Sequence, residues 1–434
     1  MSGRFFLISL FLCCVVAKVD YKGFKVVDVF PSTREQAKTL HDLNPHEKPE
    51  KRSLDWQPQC VMGGQMCQAM VSPGLHDPFV AFLKLKGIRY EEHSLDLQQE
   101  IDQEQRRIQK YRISQARSRG TPRSASRQGN SWDLDFHTYD ETLIWLNNIV
   151  NSHPTISSLI NFGSSFEGRQ MLGIRLGLNS AAPKFFFDGG IHAREWLSPA
   201  TVEYIVNQLV DGHDRGDPEI ISLLQNVEFH VLPIFNVDGF EYTWNTDRLW
   251  RKTRSFNQGS TCVGTDPNRN ADAGFGGPGT SRNPCSDTYH GAAPFSEIEV
   301  ANVAAYVVNQ TNIHGYNNIH TNAQLLLSPY GYTNQLPADL ADHNQIHNAS
   351  AAAIRSVFGA DYEFGPIYST IYPAAGGIND YLYDQGVKYA VAWELRGGSF
   401  SPPASFIVTS GEEIFEGFKV FSKFIAAEFG STKR

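Results

Sequence analysis

From Trp132 onward the chain alternates helical runs with short apolar ones, and this alternation limits its fold more than any other feature. The segment "DETLIWLNNIV" carries a helical pattern, while "KFFFDGG", "VEFHVLPIFNVDG", "YNNIHTN" and "KYAVAWELR" read as strands. Such an order predicts an α/β layer fold over residues 132–434, with a largely parallel or mixed sheet flanked by helices. In sheets of this kind ligands gather at strand ends. The residues richest in chemistry fall just past these runs.

At 434 residues the chain exceeds what one hydrophobic core usually organises, so a second domain is expected. Between Val19 and Tyr111, alternating pieces such as "FKVVDVF" (Phe24–Phe30) mix with helical ones such as "PFVAFLKLKG" (Pro78–Gly87), which ends on glycine. This predicts a small α+β domain over residues 18–114, closed by the polar helix "LDLQQEIDQEQRRIQKY". Residues 115–131 are rich in Arg and Ser and read as a linker. A basic stretch like this is compatible with simple solvation. Yet Arg117, Arg119, Arg123 and Arg127 lie between two folded segments, where a trypsin-like protease would cut to activate the protein. The stretch lacks aromatics, and the formal net charge of −8 gives no electrostatic reason to expect nucleic acid as a partner.

The N-terminus, "MSGRFFLISLFLCCVVAKVD", reads as a secretory signal peptide over residues 1–17, with cleavage expected after Ala17. Its apolar run is short of the roughly 20 residues a membrane span takes, so a secreted, extracellular protein without a membrane partner is expected. Cys13 and Cys14 leave with the signal. The remaining cysteines form two sequence-close pairs, Cys60 with Cys67 and Cys262 with Cys285. In an oxidising compartment these suggest disulfides within separate domains, with free buried thiols as the alternative. Two glycosylation sequons, at Asn309 and Asn348, are compatible with secretion.

In "FFFDGGIHAREWLSP", His192 and Glu195 stand three apart after a Gly-Gly turn. The spacing alone suits a surface pair as well as a metal site. A catalytic zinc needs three protein ligands and keeps a fourth position for water. His320, at the end of "YNNIHTN", is the best third candidate, although by itself it reads as a core histidine. Glu394 is a single glutamate in the apolar run "AVAWELR", and carboxylates are rarely buried without a partner or a function.

The motifs "GGIHAREW", "RLWRKTRS", "DPNRNADAGFGG", "PCSDTYHG", "IHTNAQLLLSPYGY", "IYPAAGGINDYLYDQG" and "WELRGG" follow one another along nearly all of the segment from Trp132. In this the chain resembles the secreted zinc carboxypeptidases of the pancreatic A/B type, and its first 131 residues resemble that family's signal, activation and linker regions. The resemblance implies a monomeric zymogen, activated by a trypsin-like protease, that removes single residues from peptide C-termini with one Zn2+. It implies His192, Glu195 and His320 as ligands, so the ligand count is borrowed rather than deduced, with Asp266 orienting the first histidine. It further implies a Cys262–Cys285 disulfide, Glu394 as general base, and Arg251 as oxyanion stabiliser. Arg269 is implied as the carboxylate clamp with Asn268 and Tyr372, and Arg194 as a contact for residues further up the substrate.

The same resemblance lines the side-chain pocket with Leu327, Gly331, Ile367, Ile371, Ala374, Asn379 and Ala392. Branches that release Lys or Arg carry an acid where Asn379 stands, so apolar or aromatic C-terminal residues are expected here. Three departures fall near the substrate: Ala271 in place of the usual tryptophan, Asn322 in place of tyrosine, and a shortened "RGGSFSPPAS". A non-catalytic binding protein on this scaffold is the alternative. Retention of Glu394, Arg269 and all three ligand candidates speaks for the enzyme.

Overall fold

The computed structural model describes residues 18–41, 43, 53–56, 64, 66–118, 131–397 and 401–430. The signal segment, Cys60, Arg119, Arg123 and Arg127 lie outside these residues. Two sheets are found among them. The N-terminal unit comprises β1 (Lys25–Phe30), α1 (Arg34–His41), β2 (Leu54–Trp56), β3 (Cys67–Val71), α2 (His76–Leu85), β4 (Arg89–Asp96) and α3 (Leu97–Ser118). Its strands form an antiparallel sheet in the order β2-β3-β1-β4. Because β1 alternates, Val27 and Val29 pack against Phe79 and Leu83 of α2. Val26, one residue before Val27, faces the other way, joining Leu97 and Ile101 of α3 and Leu249 of the larger unit. Cys67 is disulfide-bonded. The helix α3 runs four residues into the stretch read as linker, ending at Ser118.

The larger unit continues with α4 (Tyr139–Ser152), β5 (Ser157–Ser164), β6 (Gln170–Leu176), β7 (Lys184–Gly189), α5 (Leu197–Asp214), α6 (Pro218–Asn226), β8 (Glu228–Leu232) and α7 (Val237–Asn245). Then follow α8 (Ile298–Val308), β9 (Ile313–Thr321), β10 (Leu325–Ser328), α9 (Leu340–Phe358), β11 (Glu363–Pro366), α10 (Ile367–Thr370), α11 (Ile378–Asp384), β12 (Tyr389–Leu395) and α12 (Ser405–Phe429). Local signals start several of these helices. Thr138 and Glu141 form a capping box for α4, and Asp217 caps α6 with Pro218 at its first position.

The eight strands lie in the order β11-β10-β12-β9-β7-β8-β6-β5. The central four, β12, β9, β7 and β8, are mutually parallel, while β6, β5 and β10 add antiparallel pairs, so the sheet is mixed. The three phenylalanines of β7 show why it sits at the centre. Phe185 stacks on Phe418 and Phe421 of α12 at 5.2 Å, while Phe186 points to the opposite face and meets Tyr316 at 5.4 Å. Both faces of the strand are thus covered, and the parallel strands deliver their carboxyl ends to one edge of the fold. No helix among the described residues is long and apolar enough to cross a membrane.

Polar contacts join the two units as well. Tyr21 donates to Asp247 at 2.6 Å, and Arg248 pairs with Glu104 at 2.7 Å with both side chains buried. Within the small unit, His93 on β4 lies 3.2 Å from Asp28 and 2.9 Å from Glu100. Hydrogen bonds to these two acids outweigh burial and raise His93 from 6.5 to about 10. Asp28 is lowered, its burial being outweighed by bonds from His93 and Gln68. The folded state therefore holds the His93 proton more tightly than the unfolded chain does. Its stabilisation is complete below pH 6.5 and lost as pH rises toward about 10. Thermal melting of the full chain should show the N-terminal unit weakening between neutral pH and pH 10, and His93→Gln should flatten that slope. An unchanged slope in the variant would rule out this source.

Candidate active site

The chain leaves β7 through Gly189 and Gly190, and the positive φ of 67° at Gly190 permits the sharp change of direction that follows. His192 to Glu195 then form a tight turn rather than helix, with the Glu195 amide donating to the His192 carbonyl at 3.2 Å. His320 arrives from the carboxyl end of β9. Ligand atoms of His192, Glu195 and His320 lie within 4.8 Å of one another, and all three residues are buried. Glu195 Oε1 is 2.8 Å from His192 Nδ1, while Oε2 accepts from the Thr321 amide at 3.1 Å. The Nδ1 of His320 has no hydrogen-bond partner although it is buried, with Glu195 Oε2 3.4 Å away. A buried imidazole nitrogen left unpaired beside another imidazole and a carboxylate fits the donor set of a zinc site.

Around this triad lie Asp266, Arg251, Arg194, Glu394, Asn268, Arg269 and Tyr372, whereas Gly331 does not line the side-chain cavity. Asp266 is fully buried; its Oδ1 faces His192 Nε2 at 3.2 Å, and its Oδ2 accepts from Arg251 at 2.9 Å. Burial alone would raise the Asp266 carboxyl, but the charges of Arg251 and His192 hold it well below its usual range. His192 is lowered, by burial first and by the Arg251 charge second. A neutral imidazole is the form that binds a metal. Glu394 stands opposite His320 in the parallel β12–β9 register, and solvent still reaches it through the cleft. The surrounding walls push its carboxyl up to about 7, against the pull of His320.

Asp266 also caps the short turn Pro267–Arg269 by accepting from the Asn268 amide at 2.9 Å. Arg269 is held by the Gly279 carbonyl at 3.0 Å and the Asn268 carbonyl at 2.8 Å, and Tyr372 lies beside it with 5.8 Å from guanidinium to ring centre. A narrow cavity continues from here, with Leu327, Ile367, Ile371, Ala374 and Ala392 in its walls and Asn379 lining it too. The Asn379 amide nitrogen donates to the Val391 carbonyl, so the group that stands here is a neutral amide held by the neighbouring strand. Neighbouring Asp380 instead accepts from the Gly331 and Tyr332 amides at 2.7 and 3.1 Å and does not line the cavity. Of the departures, Asn322 lines the cleft, whereas Ala271 lies in the main core. The Cys262–Cys285 disulfide is formed.

The N-terminal unit reaches the cleft with residues that were not foreseen. Trp56 and Met66, from the N-terminal unit, line it together with the triad and Glu394. Asp55 places Oδ2 2.6 Å from a guanidinium nitrogen of Arg194, and both side chains are buried. Nothing local in the sequence marks Asp55, since its partner is 139 residues away. The loop after Tyr372 is tied to the clamp at close quarters: Gly376 has φ 78°, and an added Cβ would meet the Arg269 carbonyl oxygen at 2.1 Å. Gly376→Ala should cost at least about 1 kcal/mol in stability, the cost of a left-handed residue with a side chain. It should also raise KM for peptide substrates. Denaturant melts and steady-state kinetics check both.

Comparisons with known proteins bear on this geometry. The family model described as zinc carboxypeptidase matches residues 142–417, and that described as carboxypeptidase activation peptide matches residues 27–104. The chain is 36% identical over 422 residues to carboxypeptidase A2 of Rattus norvegicus, covering 96% of this chain and 98% of that one. It is 43% identical over 298 residues to carboxypeptidase B of Astacus astacus, covering 67% of this chain and 97% of the relative. Among solved structures, carboxypeptidase A from Helicoverpa armigera superposes with TM-score 0.80 at 26% identity, covering 95% of this chain and 99% of that chain. Thrombin activatable fibrinolysis inhibitor gives 0.79 at 26% identity, covering 93% and 99%.

Proposed function

This chain belongs to the zinc carboxypeptidase family and carries an activation peptide, and from that premise we propose how its own residues recognise and cleave a peptide C-terminus. The observation that carries the reading is the convergence of the His192–Glu195–His320 triad, Glu394, Arg251 and Arg269 on one cleft. Arg269 receives the terminal carboxylate, which a guanidinium can pair bidentately. Asn268 assists, and Tyr372 covers the product side. Bound zinc, held by His192, Glu195 and His320, supplies Lewis-acid polarisation of the scissile carbonyl and acidifies water.

Glu394 takes the proton of the attacking water and passes it to the leaving amine as the C–N bond breaks. A carboxyl near 7 suits both halves of that task. Arg251, fixed by Asp266, faces the developing oxyanion without needing to move. Arg194 contacts the substrate further from its C-terminus. Relatives named A and relatives named B both match, so selectivity is argued from the cavity itself. Apart from the residues already given to the metal, base and clamp, its walls are formed by Leu327, Ile367, Ile371, Ala374 and Ala392, and Asn379 offers no negative charge to a Lys or Arg side chain. Apolar and aromatic C-terminal residues are therefore preferred, since burying an unpaired cation is costly.

The N-terminal unit keeps the enzyme latent. Asp55 occupies Arg194, and Trp56 and Met66 fill the approach to the cleft. Cutting within residues 115–131 by a trypsin-like protease would allow the unit to leave. The signal segment and the Cys262–Cys285 disulfide support secretion. The test is residue release from peptides differing only in their last residue, before and after limited trypsin treatment, with and without a zinc chelator. Release of Phe, Tyr or Leu should appear only after cutting and vanish with chelator. Glu394→Gln should lower kcat by about 10²–10⁴-fold, the usual contribution of a general base. Undiminished hydrolysis by that variant would overturn the assignment. Asn379→Asp should raise the Lys-to-Phe ratio of kcat/KM; if wild type already prefers Lys, the pocket reading fails.

A further inference from the structure

The third metal ligand is backed by a polar chain that the proposed reaction does not use. Strand periodicity puts Tyr316, Asn318 and His320 on one face of β9, and Asp188 of β7 is the register partner of Asn318. Tyr316, Asn318 and Asp188 are fully buried. The Tyr316 hydroxyl lies 2.8 Å from Asp188 Oδ2, the Asn318 amide nitrogen donates to Asp188 Oδ1, and Asn318 Oδ1 contacts His320 Nε2. Burial pushes the Asp188 carboxyl up to about 7, and the bonds from Tyr316 and Asn318 hold it back.

The direction of each bond fixes the next. When ionised, Asp188 only accepts, and the Asn318 amide then turns its NH2 toward Asp188 and its oxygen toward His320, as the contacts are arranged here. That oxygen also only accepts, so His320 Nε2 must carry the proton. The lone pair is then on Nδ1, the buried nitrogen without a hydrogen-bond partner beside Glu195. The reverse amide orientation would need a proton on Asp188 and would move the imidazole proton to Nδ1, where it blocks a metal. The Asn268 amide nitrogen lies 3.4 Å from the same Nε2 while its oxygen is buried without a partner, and exchanging these two atoms, which are alike in shape, would give the ring N–H a second acceptor.

We propose that Asp188 and Asn318 are positioning residues that act through a carboxylate–amide relay to set the tautomer of His320 for zinc. The proposal rests on His320 being a ligand. Its mark is polarity along the relay, which substitutions can reverse. Asp188→Asn removes the charge that orders the Asn318 amide, so both orientations become available. The double variant Asp188→Asn with Asn318→Asp exchanges carboxylate and amide at nearly constant shape, and the acceptor facing His320 is restored.

Zinc affinity of the full chain is measured by chelator competition, together with the visible d–d bands of the cobalt(II)-substituted protein and melting of the metal-free form. Asp188→Asn should weaken zinc binding by about 10–100-fold, the usual effect of losing a ligand's hydrogen-bond partner, and alter the cobalt bands. The double variant should recover most of the loss. Should Asp188→Asn not fold, Asn318→Leu breaks the same relay and should give the same loss. Wild-type affinity and bands in the single variants, or a double variant no better than Asp188→Asn, would overturn the proposal. His320→Ala separates the premises: if it keeps wild-type affinity, the ligand assignment itself fails, whereas if it loses zinc and Asp188→Asn does not, only the relay fails.

Discussion

The carboxylate of Asp266 ties together three functions that the chemistry needs in fixed relation. One oxygen meets the His192 ring and the Asn268 amide, and the other receives Arg251. The proposed metal ligand His192, the proposed oxyanion arginine and the turn bearing the proposed carboxylate clamp thus share one anchor. Burying a lone carboxylate would be strongly unfavourable, and here the cost is offset by two cationic or polar side chains and a turn amide. The consequence is geometric. Distances between metal site, oxyanion site and clamp are set by a single rigid group, so substrate binding need not assemble them.

The sheet makes that anchor reachable. Parallel β7, β9 and β12 end at one edge, and each contributes a residue there: His192 just past the first, His320 and Glu394 within the other two. The N-terminal unit exploits the same edge. Its short strand β2 carries Trp56 into the cleft and Asp55 onto Arg194, while the buried Arg248–Glu104 pair and the Leu249 contact join the two units as well. The latency proposed above would therefore rest on these contacts between the units and not on the cut segment. Severing the linker removes the covalent tether but none of these contacts.

Much of this was legible from the sequence because the signals were local. The apolar runs gave the central strands, the Gly-Gly turn with His192 and Glu195 gave one half of the metal site, and an isolated glutamate in β12 marked Glu394. The third ligand needed the family resemblance, since nothing between His192 and His320 indicates that β7 and β9 are neighbours. Asp55 was illegible for the same reason: its partner is an arginine in a turn of the other unit. Helix α3 passed Tyr111 and reached Ser118 because Arg, Gln and Ser tolerate helix as readily as linker, and composition alone does not locate the end. The alternation of Tyr316, Asn318 and His320 was visible in "YNNIHTN", but only the register with Asp188 turns three same-face residues into a chain.

The two histidines of the site are supported in different ways, and the difference has a physical reason. His192 meets the Asp266 carboxylate directly, next to Arg251, whose positive charge balances it. His320 sits opposite Glu394 in the sheet, where Glu195 already adds negative charge and helps hold the Glu394 carboxyl up. A second carboxylate in direct contact with His320 would bring more negative charge beside the base, and among the described residues no arginine is hydrogen-bonded to this ring. Interposing the Asn318 amide transmits the orienting effect of Asp188 while keeping its charge one residue further from Glu394. In a poorly screened interior that extra spacing weakens the repulsion, so the tautomer of the ligand can be fixed with less disturbance to the proton affinity of the base.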